Sequence, residues 1–156
     1  MVIAIGSDQA GFSLKRVLLE GLSELGYEYH DFGCHSAEPV DYPDIAHAVA
    51  EAVASGRFER AILVCGTGAG MAVTANKTPG VRAVVANDTF TAHQAREHLD
   101  AQVLCLGERI VGPGLARDIV KTYLSASFEG GRHERRVKQI ADIEKRQLNP
   151  DPRPKT

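Results

Sequence analysis

Short apolar runs alternate with segments of helical spacing along most of this chain, and that alternation limits the folds open to it. Val2 to Gly6 is an apolar run that ends on glycine, as a buried strand does. From Gly11 the spacing becomes helical, with Leu14, Val17, Leu18, Leu22 and Leu25 on one stripe and Gly26 as the stop. Tyr27 to Phe32 reads as a second strand and residues 43–55 as a helix carrying Ile45, Val49 and Val53. Arg60 to Val64 is a third strand, followed by a glycine-rich turn at 66–70 and a short helix to about Lys77. Val81 to Ala86, a helix at 89–98, Gln102 to Leu106 and a helix at 113–126 (Leu115, Ile119, Tyr123) complete the alternation. Parallel strands need crossovers, so this order predicts an α/β fold: a five-stranded parallel sheet between two helical layers. The near-continuous apolarity of the runs fits strands covered on both faces. A last helix at 131–147, rich in Arg, Lys and Glu, has Val137, Ile140 and Ile143 as its few apolar positions. It is free to pack on the domain or to reach a second subunit.

The 156 residues suit one domain, read here as 1–148, with the Pro-rich stretch 149–156 as a flexible tail. Eighteen basic residues against twenty acidic ones exclude a surface built wholesale for polyanions. Trp is absent and the Arg-rich run holds no aromatics, so base stacking on nucleic acid has no support. No apolar run reaches membrane-spanning length, and Met1 to Gly6 lacks the features of a signal peptide. Cys34, Cys65 and Cys105 are widely separated and odd in number, which points to reduced thiols and a cytoplasmic setting.

Open parallel sheets bind ligands at the carboxyl ends of their strands. Those ends here carry Ser7-Asp8-Gln9, Gly33-Cys34-His35 with Asp41-Tyr42 beyond, Cys65-Gly66-Thr67-Gly68-Ala69-Gly70, Asn87-Asp88 and Gly107-Glu108-Arg109. Glycines at 66, 68 and 70 let several backbone N–H groups turn inward, a cradle for a phosphate or an enediolate oxygen. A helix start beside Cys65 favours negative charge, which suits a thiol serving as base or nucleophile. Cys105, inside a strand, reads as a small core hydrophobe. The glycine turn ends without Gly-Lys-Ser/Thr and follows the third strand, so neither the P-loop nor the dinucleotide fingerprint fits.

His98 at a helix end is an acid suited to neutral pH or a capping cation. The histidines follow no ligand spacing such as H-E-x-x-H, and no metal site is expected. Arg132 and Arg136, four apart with His133 beside them, share a helical face. That face fits a phosphate monoester or else is a solvated basic surface.

Jointly, Ile5-Gly6-Ser7-Asp8, Asp41-Tyr42-Pro43, Cys65 to Gly70, Ala75-Asn76-Lys77, Arg82-Ala83, Gly107-Glu108-Arg109 and Glu129-Gly130-Gly131-Arg132-His133 resemble the ribose-5-phosphate isomerase B family and its galactose-6-phosphate isomerase relatives. The resemblance runs from Val2 to about Arg146. It implies a Rossmann-like three-layer fold with an extra C-terminal helix, no metal or organic cofactor, and aldose–ketose isomerisation through a cis-enediolate. It also implies a homodimer with shared sites, a tetramer being the alternative assembly, and a phosphorylated sugar as partner. By position it makes Cys65 the base and Thr67 its partner at the reacting carbons. The amides of Gly66, Gly68 and Gly70 would be enediolate donors, and His98 and Asp8 the groups that assist ring opening. Tyr42 and Gln9 would line the sugar site; Arg109, Arg132, His133 and Arg136 would hold phosphate, with Arg132 and Arg136 from the neighbouring subunit. Some members use a Glu within the glycine loop instead of the cysteine, and Ala69 stands at that place here. Two further positions depart: Gln9 replaces the usual His and Leu99 the usual Asn, so the sugar phosphate could be a tetrose, allose or galactose phosphate. A non-catalytic phosphosugar-binding module and a Cys–His hydrolase are the remaining alternatives; retention of Cys65, Thr67 and His98 speaks against the former.

Overall fold

The computed structural model describes residues 1–150; the rest of the expected tail, 151–156, lies outside the described residues. The elements run β1 (Val2–Ser7), a 3-10 turn (Gln9–Gly11), α1 (Phe12–Glu24), β2 (Glu28–Asp31), α2 (Tyr42–Ala54), β3 (Arg60–Cys65) and α3 (Ala69–Ala75). They continue with β4 (Ala83–Val85), α4 (Thr89–Leu99), β5 (Val103–Gly107), α5 (Pro113–Ser125) and α6 (Arg132–Leu148). All strand pairs are parallel, in the order β2-β1-β3-β5-β4. The expected three-layer α/β architecture with its extra C-terminal helix is what the chain adopts.

Strand alternation divides the core. Ile3, Ile5, Ile62, Val64, Leu104 and Leu106 face one way, against Leu14, Leu18 and Leu22 of α1 and Ile119 and Tyr123 of α5. Ala4, Ala61, Leu63, Cys65, Val103 and Cys105 face the other, against α2 and α3. Small residues on that second face, Ala46, Ala50, Ala72 and Ala75, let those helices lie close to the sheet. The buried Tyr123 hydroxyl donates to the Ala101 carbonyl at 2.9 Å, so its polar end is satisfied within the core.

Three expectations change. β2 is an edge strand, and its residues Glu28 to His30 are exposed rather than covered on both faces. Leu25 and Leu115, placed by periodicity on buried stripes, are exposed; Leu25 falls just past the end of α1 and Leu115 in the first turn of α5. Ile140 and Ile143 of α6 are also exposed; this helix meets the rest of the chain chiefly at α4.

The carboxyl ends of β1, β3 and β5 are interlocked. The Asp8 N–H donates to the Val64 carbonyl, Glu108 N–H to Cys65 and Arg109 N–H to Gly66, at 3.3, 2.9 and 3.0 Å. Such closeness demands glycine: a Cβ at Gly11 would lie 2.5 Å from the Val64 carbonyl oxygen, and one at Gly107 2.7 Å from the Thr67 backbone. Neither obstacle is a flexible side chain. Gly11→Ala is therefore expected to cost about 1–3 kcal/mol, read as a lower urea midpoint at unchanged m; an unaltered midpoint would show that the turn yields freely.

Candidate functional site

β1 and β3 lie side by side, yet the chain leaves β1 toward β2 and leaves β3 toward the opposite edge. Their carboxyl ends thus define the crevice where open α/β sheets bind ligands. Cys65 is the last residue of β3 and is buried at its mouth. Its Sγ accepts the Gly68 N–H at 3.1 Å, while the Thr67 Oγ1 accepts the Ala69 N–H at 3.3 Å. Gly68 has φ +83°, the left-handed conformation that reverses the chain into α3. The loop thereby curls around the sulfur and leaves Thr67 exposed.

The neighbours close on this loop. A Cβ at Gly70 would lie 2.7 Å from the Tyr42 ring, so the ring rests directly on the loop's backbone. A Cβ at Gly66 would lie 3.3 Å from the Arg109 Nη1, which puts the guanidinium over the first turn residue. Asp8 is buried and caps the 3-10 turn by accepting the Gly11 N–H at 3.1 Å. Gln9 sits beside Asp8, and its Oε1 accepts the Val40 N–H at 3.0 Å, which ties down the segment leading to Asp41 and Tyr42. Asp8, Gln9, Tyr42, Cys65 to Gly70 and Arg109 form one rim.

His98, Arg132 and His133 gather elsewhere, where α4 meets the start of α6. The His98 and His133 rings stack at 3.9 Å with 8° between their planes. Glu129 Oε2 lies 3.2 Å from His133 Nε2 and 4.0 Å from His98 Nε2, and Arg132 Nε donates to His133 Nε2 at 3.3 Å. Burial pushes the His133 imidazole below its ordinary pKa, with His98 and Arg132 adding to the effect and Glu129 opposing it. Arg136, one turn on, is exposed. Among the described residues no hydrogen bond or ion pair joins this group to the rim, and none of Arg109, Arg132 and Arg136 is paired with a carboxylate. Cys105 lies in the core, where burial raises its pKa far above the ordinary thiol range.

Lys15 and Asp31 escaped the sequence reading, and Asn87 and Glu108 were placed at strand ends without the supporting roles they have. Lys15, almost fully buried, pairs with Asp31 at 2.7 Å and also donates to the Cys34 carbonyl. Gly33 N–H donates to the same Asp31 at 2.9 Å, so one buried cation organises the turn after β2. The amide oxygen of Asn87 accepts the Gly107 N–H at 3.1 Å, and Glu108 accepts the Leu14 N–H at 2.8 Å at the start of α1. Glu129 was named only as the first residue of the matching segment Glu129 to His133, with no role of its own.

A doubly wound α/β protein with a thiol, a glycine cradle and the Arg109 guanidinium at its strand ends has the make-up of a small-molecule enzyme that handles an anionic substrate. The particular family is defined by sequence. The chain matches the Ribose/Galactose Isomerase family over residues 3–140 and belongs to it. It is 47% identical to ribose-5-phosphate isomerase B of Escherichia coli, over 92% of this chain and 97% of that protein. To a D-erythrulose-4-phosphate isomerase of Pectobacterium atrosepticum it is 41% identical, over 91% of this chain and 94% of the other. The solved structure of Clostridium thermocellum ribose-5-phosphate isomerase B superimposes with a TM-score of 0.92 at 53% identity, covering 94% of this chain and 99% of that one.

Proposed function

We propose that the chain is an aldose–ketose isomerase that interconverts ribose 5-phosphate and ribulose 5-phosphate. The observation that carries the chemistry is Cys65 seated inside the Gly66–Gly70 turn, with its sulfur held by the Gly68 N–H. The Cys65 thiolate takes the proton from C2 of the open-chain aldose. The electron pair moves into the C1–C2 bond and the carbonyl π pair onto O1, giving a cis-enediolate. Backbone N–H groups of the Gly66–Gly70 turn stabilise the charge as it develops on oxygen. The Thr67 hydroxyl, exposed at the loop's crest, orients the reacting end. Delivery of the proton from Cys65 to C1, with the C2–O2 carbonyl formed as the C2-hydroxyl proton passes to O1, completes the ketose. This sequence uses side chains and backbone alone.

Phosphate falls to Arg109, Arg132, His133 and Arg136, whose guanidinium groups can give bidentate, charge-assisted hydrogen bonds. Arg132 donates to His133, which stacks on His98, so these three side chains form one group. If α6 supplies phosphate ligands to a neighbouring rim, His98 goes with it as the acid that helps Asp8 open the sugar ring. The working unit is then a homodimer with composite sites. Apolar side chains left uncovered on this chain support that reading: Val73 is 63% exposed, Phe90 74% and Ile110 57%. No helix among the described residues is long and apolar enough to cross a membrane, and the three free thiols fit a reducing cytoplasm.

A specific observation favours a second reading on substrate length. Val40 engages the Gln9 side-chain oxygen and leaves only its NH2 for a sugar, and the Leu99 side chain has no hydrogen-bonding group, so the sugar site has fewer polar contacts to give. A four-carbon phosphosugar, as in the name of the Pectobacterium relative, needs fewer of them. A panel of four- to six-carbon aldose phosphates decides: ribose 5-phosphate is expected to give the highest kcat/KM. A higher value for a tetrose phosphate would transfer the assignment, and no turnover of any member would overturn the isomerase reading.

A further inference from the structure

We propose that His98, Glu129 and His133 form a binding site for a divalent metal of borderline softness, zinc or cobalt. Their ligating atoms all lie within 4.8 Å of one another. Two imidazoles and one carboxylate are a common donor set for these ions and leave a fourth position open. Both Nε2 atoms address the same carboxylate oxygen, at 3.2 and 4.0 Å, and the stacked rings present them side by side. The backbone holds the set together from outside: Glu129 N–H donates to the Glu97 carbonyl at 3.1 Å, and His133 N–H to Gly130 at 3.1 Å.

Bonds of about 2.0–2.1 Å to a tetrahedral ion require the ligand atoms to draw closer than they stand. His133 is buried and fixed, but Glu129 is exposed and His98 about one-third exposed, so those two side chains can close around the ion. Arg132 opposes it, because its Nε donates to the same nitrogen the metal would take, at 3.3 Å. It is exposed and can swing out, and its charge keeps the affinity modest. Sequence spacing hid the group, since one ligand comes from α4 and only the Glu129–His133 pair is local.

A metal here would occupy the imidazole assigned to ring opening and one assigned to phosphate, making it a reversible inhibitor that competes with phosphosugar. That consequence rests on the proposed function; the binding itself does not. Co2+ is titrated into the chelator-treated full-length protein and followed by the visible absorption of a low-coordinate ion, with circular dichroism confirming that each variant is folded. Glu129→Gln and His98→Gln are each expected to weaken Co2+ binding about tenfold or more, while Cys65→Ala leaves it unchanged. Equal binding by wild type and both cluster variants overturns the site, as does loss of binding in Cys65→Ala, which would place the ion at the thiol. A separate isomerase assay keeps the two proposals apart: cluster-dependent Co2+ binding without turnover upholds the site and removes the function, and turnover without such binding does the reverse.

Discussion

Replacing Cys65 by alanine is expected to lower kcat by ~10²–10⁴-fold, the range spanned by a positioned general base, while phosphosugar binding changes little. Cys65 contributes its sulfur to the crevice and a small apolar body to the sheet, so alanine preserves the packing and removes the proton acceptor. The arginines proposed to bind phosphate lie outside the core packed around the thiol, and their charges are untouched by the change. Isothermal titration of the variant with ribose 5-phosphate, beside single-turnover kinetics, separates the two effects. Equal loss of binding and turnover would mean that the sulfur shapes the pocket instead of moving a proton. Full activity would hand the base role to another group, and Thr67 at the loop crest would be the next to test.

The second large effect is one of restoration. Cys65→Ala and His98→Gln proteins should each be nearly inactive alone. Mixed, unfolded and refolded together, they should recover about a quarter of the wild-type activity per site, since half of randomly paired dimers are mixed and each of those has one intact composite site. The basis is the division within the chain: Cys65 belongs to the rim, whereas His98 is stacked on His133 where α4 meets α6. No recovery, with mixed dimers demonstrated by differential tagging, would place both residues of each site on the same chain.

The layers of the fold could be read from the sequence because the period changes are local. Leu14, Leu18 and Leu22 recur at helical spacing and do face the sheet, and Ile3 and Ile5 alternate with Ala4 as a strand requires. The same rule failed at Leu25 and Leu115, since periodicity assigns a residue to a helical face but not to the part of that face the sheet covers. β2 was legible as a strand from its position between helices, though its residues Glu28-Tyr29-His30-Asp31 already carried the polar character of an edge. The glycine turn after β3 announced itself by composition. The Gln9–Val40 bond spans 31 residues and the Leu14–Glu108 bond 94. Contacts of this kind depend on where crossovers deliver a side chain, and they leave no local pattern. Residue pattern and family resemblance together brought out His98 and His133, but only the folded chain puts Glu129 against both.

The locked turns at the ends of β1, β3 and β5 bear on how such a chain can change over time. Glycines at 11 and 107 face backbone atoms they almost touch, so the floor beneath the reacting carbons tolerates almost no variation. The segment leading to Tyr42 is fastened from Gln9 by a single side-chain bond, and at the α4–α6 corner Glu129, Arg132 and Arg136 are exposed around the buried His133. Substitutions at these outer parts can alter which sugar is accepted while leaving the proton transfer intact. A lineage with this architecture can acquire new substrates by small steps at its borders, with the chemical step inherited unaltered.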